Sequence, residues 1–228
     1  MKFLLTNDDG IDAQSLAALA EAAELLRPAI WIAPHTHLSG CGHRVTTDLP
    51  IRLMPRGDGR WAIDGTPADC VRVALAKLAP EVDWILSGMN HGGNLGADVY
   101  HSGTVAAVRE AALHGKPAIA FSHYRKRGME IDWERARRWM RQVLTEILAE
   151  PHVAGAFWNV NLPHVAPGEP EPRVVRCVLD PRPLPLSFRE AGEGLHYDGN
   201  YHARPRIVGS DVDVCFSGHI SVTRLALG

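Results

Sequence analysis

Short apolar runs alternate along the chain with stretches in which apolar residues recur every three or four positions. Phe3, Leu4 and Leu5 form the first run, and Thr6-Asn7-Asp8-Asp9-Gly10 stops it abruptly. Leu16, Leu19, Ala20, Ala23 and Leu26 then fall on one helical face, so strand, turn and helix follow in order. Residues 29–33 read as a second buried strand, ended by Pro34. Residues 44–54 and 60–63 suggest a hairpin about the turn Arg56-Gly57-Asp58-Gly59. Thr66-Pro67 opens a helix with Val71, Ala74, Leu75 and Leu78 on its apolar face. Residues 82–86 and 117–121 are further strands, separated by a glycine-rich loop (87–96) and a helix starting near Ser102-Gly103-Thr104. Residues 132–149 predict the longest helix, striped by Ala136, Met140, Val143, Leu144, Ile147 and Leu148, and residues 157–162 predict a strand.

Strands alternating with helices, each strand a short apolar run, predict a mostly parallel sheet covered on both faces. The expected fold is therefore α/β, a three-layer α/β/α Rossmann-like domain. From about residue 164 proline and glycine crowd the chain, leaving strand candidates at 173–179 and 212–225. This divides the expectation into a Rossmann-like catalytic domain over 1–163 and a β-rich C-terminal extension over 164–228. The extension would pack on the same domain or on a partner subunit. Asp211 and Asp213, alternating along the last candidate strand, are expected at a surface or turn.

Composition narrows the class. In 228 residues, 24 Lys and Arg against 26 Asp and Glu give a formal charge of −2, which is no footprint for a nucleic-acid polymer or an anionic membrane. No apolar run approaches the roughly 20 residues of a membrane helix. The N-terminus lacks the basic and apolar regions of a signal peptide, which predicts a cytoplasmic protein. Cys41, Cys70, Cys177 and Cys215 are scattered without a CxxC pair and are expected as reduced structural thiols.

The chemistry gathers after the predicted strands. In open α/β sheets ligands bind outside the carboxyl ends of the strands. Asp8 and Asp9 would sit at that edge, where adjacent carboxylates repel unless a proton or cation intervenes. The same Asn-Asp-Asp-Gly sequence is also ordinary turn chemistry. Loops 34–43 and 87–103 add a hydroxyl at Ser39 and amide oxygens at Asn90 and Asn94, a donor set suited to Mg²⁺ or Mn²⁺. Ser102-Gly103-Thr104 opens a helix, where free N–H groups favour a phosphate, although a plain serine cap reads the same way. Phosphate on amides beside a carboxylate-held cation is a recurrent phosphoryl-transfer arrangement.

The motifs Thr6-Asn7-Asp8-Asp9-Gly10-Ile11, Ser39-Gly40, Asp64-Gly65-Thr66-Pro67, Ser87-Gly88-Met89-Asn90, Gly93-Asn94-Leu95-Gly96 and Ser102-Gly103-Thr104-Val105 appear in order. In them the chain resembles the survival protein SurE family of metal-dependent 5′(3′)-nucleotidases. The resemblance is specific to about residue 122 and is recognisable again at Asn159-Val160-Asn161-Leu162-Pro163 and residues 218–223. It implies Asp8, Asp9, Ser39 and Asn90 as ligands of one divalent ion, Mn²⁺ or Mg²⁺. It also implies Asn94, Ser102, Gly103 and Thr104 around the phosphate, and assembly as a homodimer or homotetramer. Where relatives usually carry Pro-Asp-Arg-Asn-Arg-Ser-Gly, this chain has Pro34-His35-Thr36-His37-Leu38-Ser39-Gly40. His101 stands in place of the usual tyrosine before the Ser-Gly-Thr turn.

The expected function is a divalent-metal-dependent phosphomonoesterase that hydrolyses nucleoside 5′-monophosphates, with 3′-monophosphates as a further substrate. The nucleophile would be either a water activated by the cation or the carboxylate of Asp8 or Asp9. Among His35, His37, His43, His91 and His101, the sequence favours His43 and His101 as acids for the leaving group, by their nearness to Ser39 and Ser102. A nucleotide-binding protein with little turnover, and a phosphatase for polyphosphate or another phosphate ester, are the alternatives that the altered second loop leaves open.

Overall fold

The structure, a computed structural model, describes residues 1–26, 28–126 and 128–227. β1 (Phe3–Thr6) is followed by α1 (Gln14–Glu24) and β2 (Ala29–Pro34), so the first apolar run and the first helical face lie where their spacing puts them. β3 (Leu53–Gly57) and β4 (Arg60–Ile63) form the hairpin, and α2 (Pro67–Val73) continues into a π-helical turn, Ala74–Leu78. Thr66 starts α2 with a capping box: its hydroxyl accepts from the Asp69 N–H while Asp69 accepts from the Thr66 N–H. β5 (Trp84–His91), α3 (Gly103–Leu113), β6 (Ala118–His123), α4 (Trp133–Leu148) and β7 (Ala156–Leu162) complete the alternating part.

The C-terminal segment supplies β8 (Val174–Cys177), β9 (Phe188–Ala191), β10 (Gly194–Tyr197), α5 (Asp211–Phe216) and β11 (Ile220–Ala226). Nine strands form one sheet in the order β3-β4-β2-β1-β5-β6-β7-β11-β8. Only β3 against β4 and β11 against β7 run antiparallel within it. β9 and β10 pair with each other, and Phe188, Leu195 and Tyr197 on them are exposed. No helix among the described residues is long and apolar enough to cross a membrane.

The two faces of the sheet carry separate apolar clusters. Phe3, Leu5, Leu86, Phe121 and Val160 face Leu16 and Leu19 of α1 and Met140, Leu144 and Ile147 of α4. Leu4, Ile30, Ile32 and Ile85 face Cys70 and Val71 of α2 and Val105 and Val108 of α3. Alternation along β1 (Phe3 and Leu5 to one face, Leu4 to the other) is what period two dictates in a strand buried on both sides. Each such side chain contributes about 2 kcal/mol by leaving water. All three layers are present, as the sequence predicts.

One expected strand is different. Residues 211–216 are helical, and the strand begins only at Ile220. Ser210 caps the helix by accepting from the Asp213 N–H. Asp211 is fully buried, not at a surface, and its carboxylate accepts from the backbone N–H groups of Gly96 (2.8 Å), Asp180 (2.8 Å) and Val212 (2.9 Å). It ties the C-terminal segment to the loop after β5.

The strand order reverses at β1. From there the chain goes to β2 on one side, while β5 lies on the other. A crevice opens at such a switch point beyond the strands' carboxyl ends. The loop after β1 and the end of β5 border it.

Candidate active site

Asn7 builds the turn after β1. Its side-chain oxygen accepts from the Gly10 N–H (3.1 Å) and its amide nitrogen donates to the Gly10 carbonyl (3.0 Å). This leaves Asp8 and Asp9 at the crevice. The Asp8 carbonyl accepts from the Leu38 N–H (2.7 Å), which holds the loop after β2 against the turn. Ser39, exposed, is the next residue on that loop.

Asp8 is buried, and the Thr104 hydroxyl donates to its Oδ1 at 2.5 Å. Gly103 packs so closely that a Cβ there would lie 2.9 Å from Asp8 Cβ and 2.9 Å from Cys41 Sγ. The start of α3, capped by the Ser102 hydroxyl on the Val105 N–H, is thereby seated on the carboxylate. Burial, first, pushes the Asp8 carboxyl up to about 6; the Thr104 bond pulls the other way, and Asp9 raises it further. Asp9 Oδ1 lies 3.2 Å from His37 Nδ1. Neither carboxylate pairs with a lysine or arginine among the described residues.

Asn90 stands near the end of β5, past a bulge between Ser87 and Asn90 in the β5–β6 pairing. Its amide nitrogen donates to the Gly92 carbonyl at 2.9 Å, so Oδ1 is the atom that could meet a cation. Two acidic oxygen donors, a hydroxyl and an amide oxygen at one crevice are the hard-donor set that Mg²⁺ or Mn²⁺ takes. A buried carboxylate beside a second one, neither paired with lysine or arginine among the described residues, would be balanced by such an ion.

Asn94 is buried and braced through its N–H, its carbonyl and its side-chain nitrogen. Its N–H donates to Asn161 Oδ1 (2.8 Å), its side-chain nitrogen to the Ser122 hydroxyl (2.7 Å), and its carbonyl accepts from Asn159 (2.8 Å) and Asn161 (3.2 Å). Beyond the resemblance at residues 159–163, the sequence marks Asn159 and Asn161 only as two amides alternating inside an apolar strand, and Ser122 carries no such signal. Replacing Asn161 by Ala leaves a buried N–H of Asn94 unmet, which should cost about 1–3 kcal/mol in denaturant unfolding. Phosphate release should fall roughly tenfold or more. Lowered stability with unchanged turnover would show that Asn161 braces the loop without serving the reaction.

The structure brings Asp8, Asp9, Gly103 and Thr104 together, with Ser39 and Asn90 on the loops beside them. The two favoured histidines lie differently. His43 Nε2 is 2.8 Å from Glu110, and its Nδ1 faces Arg109 at 3.5 Å, so both ring nitrogens are engaged outside the carboxylate pair. His101 is exposed, immediately before Ser102. The histidine that meets a site carboxylate is His37.

A three-layer α/β/α domain with paired carboxylates and a helix start at its switch point defines a phosphate-ester type of site. The sequence model for survival protein SurE matches residues 3–179, and the chain belongs to that family. A Nostoc sp. protein named "Putative 5'-nucleotidase alr3139" is 53% identical over 99% of both chains. The 5'-nucleotidase SurE of Neisseria gonorrhoeae is 36% identical, over 100% of this chain and 93% of its own. The crystal structure of the SurE protein from Aquifex aeolicus superposes with a TM-score of 0.85 at 30% identity, covering 100% of this chain and 94% of that one.

Proposed function

We propose that this chain is a divalent-cation-dependent phosphomonoesterase that hydrolyses nucleoside 5′-monophosphates, and 3′-monophosphates as well, to nucleoside and phosphate. The observation that carries the reading is Asp8, a buried carboxylate beside a second one and in contact with the start of α3. The nucleotidase names of the relatives point the same way.

Asp8, Asp9, Ser39 and Asn90 would hold the ion. Bound there, Mg²⁺ or Mn²⁺ supplies Lewis-acid neutralisation of the phosphoryl charge. The N–H groups of Gly103 and Thr104 open α3 with no partner inside the helix, so they receive the equatorial phosphoryl oxygens. Asn94, fixed by β6 and β7, adds a polar wall that costs no reorganisation during the reaction. With both carboxylates assigned to the ion, we assign the attack to water. The water oxygen bonds to phosphorus, the ester P–O bond breaks, and the departing alcohol oxygen takes up a proton.

The test is phosphate release from 5′- and 3′-nucleoside monophosphates with Mn²⁺, Mg²⁺ or EDTA. Release that depends on the ion and is abolished by EDTA is the expected result. Binding of nucleotide without release under any ion would refute the enzyme.

A further inference from the structure

Two cavities flank the carboxylate pair, and they differ in charge. The one beside β2 and β4, about 430 Å³, is lined by His35 and Arg44 but also by the carboxylates of Asp48 and Asp64. The other, about 550 Å³, lies beyond the ends of β5 and β6 and is lined by His91, Tyr124, Arg125, Lys126, Tyr201 and His202, with glycines between them. No acidic residue lines it among the described residues. Its volume is that of an ordinary small-molecule pocket.

This second cavity opens beside the proposed metal site. His91, on its rim, directly follows Asn90. Arg125 and His91 line the same cavity. The His91 ring lies 5.4 Å from that of Trp133, centre to centre, and Arg125 and Lys126, both exposed, bring permanent positive charge to the cavity.

The far wall is aromatic and anchored. The Tyr124 hydroxyl is 2.7 Å from His202 Nδ1, and Tyr124 stacks on Phe216 at 4.6 Å. The Tyr201 hydroxyl donates to Asp98 at 2.6 Å, with the Arg204 guanidinium 4.4 Å from the centre of its ring. Arg204 is itself buried and donates to the Leu95 carbonyl at 3.1 Å, so the C-terminal segment is pinned to the loop that carries Asn94. The Tyr124 and Tyr201 rings are already packed on Phe216 and Arg204, so they form a fixed wall, and arginine and lysine beside it can hold phosphate oxygens.

Building on the phosphatase reading, we propose that this cavity receives the leaving group, and that Arg125 and Lys126 select one that carries a second phosphate. The substrate class is then a nucleotide phosphorylated twice. Hydrolysis breaks one P–O bond, water supplies the oxygen to the released phosphate, and the departing nucleoside phosphate takes the proton. The second phosphate sits either on the far side of the sugar, as in a nucleoside 3′,5′-bisphosphate, or in series, as in a 5′-diphosphate. Both present an anion beyond the scissile bond.

The experiment compares the wild-type chain with Arg125→Ala/Lys126→Ala, and with Arg44→Ala in the other cavity. Phosphate release is measured with Mn²⁺ on p-nitrophenyl phosphate, a 5′-monophosphate, a 3′,5′-bisphosphate and a 5′-diphosphate, and calorimetry measures binding of the last three. We expect the double variant to lose at least tenfold in KM and in affinity for one of the doubly phosphorylated nucleotides. Turnover of p-nitrophenyl phosphate should stay within twofold. The nucleotide that shows the loss locates the second phosphate. Equal losses on every substrate, no loss on any, or the loss appearing in Arg44→Ala instead would overturn the assignment. Wild-type protein that binds the doubly phosphorylated nucleotide through Arg125 and Lys126 yet releases no phosphate would sink the phosphatase reading and leave this pocket standing.

Discussion

Replacing Asp8 by Asn should lower phosphate release a hundredfold or more while making the ion-free protein more stable at pH 8. The activity loss follows because groups that merely support a metal ligand are worth tenfold to a hundredfold, and Asp8 is proposed as a ligand itself. The gain in stability follows from burial. In the folded chain the Asp8 carboxyl titrates at about 6, against 3.8 for an exposed one. Unfolded chain therefore ionises first as pH rises. The folded state begins to lose stability near pH 4, and the penalty is complete above about pH 6. Two pH units correspond to about 3 kcal/mol. Asn carries no charge and keeps an oxygen for the Thr104 hydroxyl, so it escapes the penalty. Unfolding by urea at pH 8 and pH 4, with EDTA present, should show the variant ahead at pH 8 and level at pH 4. A variant less stable than wild type at pH 8 would mean that Asp8 has a compensating partner. By the same balance, Mn²⁺ should raise the melting temperature of the wild type more at pH 8 than at pH 5, and should do little for the variant.

Much of this candidate site is legible in the sequence because it is local. Asp8 and Asp9 follow an apolar run, Ser102 precedes a helical face, and strand ends in an alternating chain converge. What stayed hidden depends on distance along the chain. Asn161 braces Asn94 across 67 residues and Asp211 accepts from Gly96 across 115, contacts that no window of periodicity spans. Local signals also competed. Val212 and Val214 alternate with Asp211 and Asp213 as a strand would, but Ser210 with Asp213 three positions on is a helix start, and the cap prevailed. The pair β9 and β10 bury almost nothing of themselves, so their residues carry no apolar rhythm to read. His43 was favoured for its nearness to Ser39 in sequence, whereas Glu110 on α3 captured it in space.

The bulge that delivers Asn90 rests on one residue, and Gly88→Ala should cost roughly 2–6 kcal/mol, with the ion affinity of whatever folds falling as well. Gly88 has φ +126°, and a Cβ there would stand 2.2 Å from the Phe121 carbonyl oxygen on the neighbouring strand. That oxygen belongs to the backbone of a central strand, so it cannot swing aside as a side-chain end could. Relief must come from parting β5 from β6, at the point where their register already shifts between Ser87 and Asn90. Conformational strain and collision can be separated by a control. Gly57 also has a positive φ, +79°, but open space around its absent Cβ. Gly57→Ala should therefore lose only the strain, on the order of 1 kcal/mol, and keep full activity. Urea midpoints of the two variants, read with Mn²⁺ titrations, measure both effects. If Gly88→Ala matched Gly57→Ala in stability and bound the ion normally, the close approach of the strands would not be what sets Asn90 over the crevice.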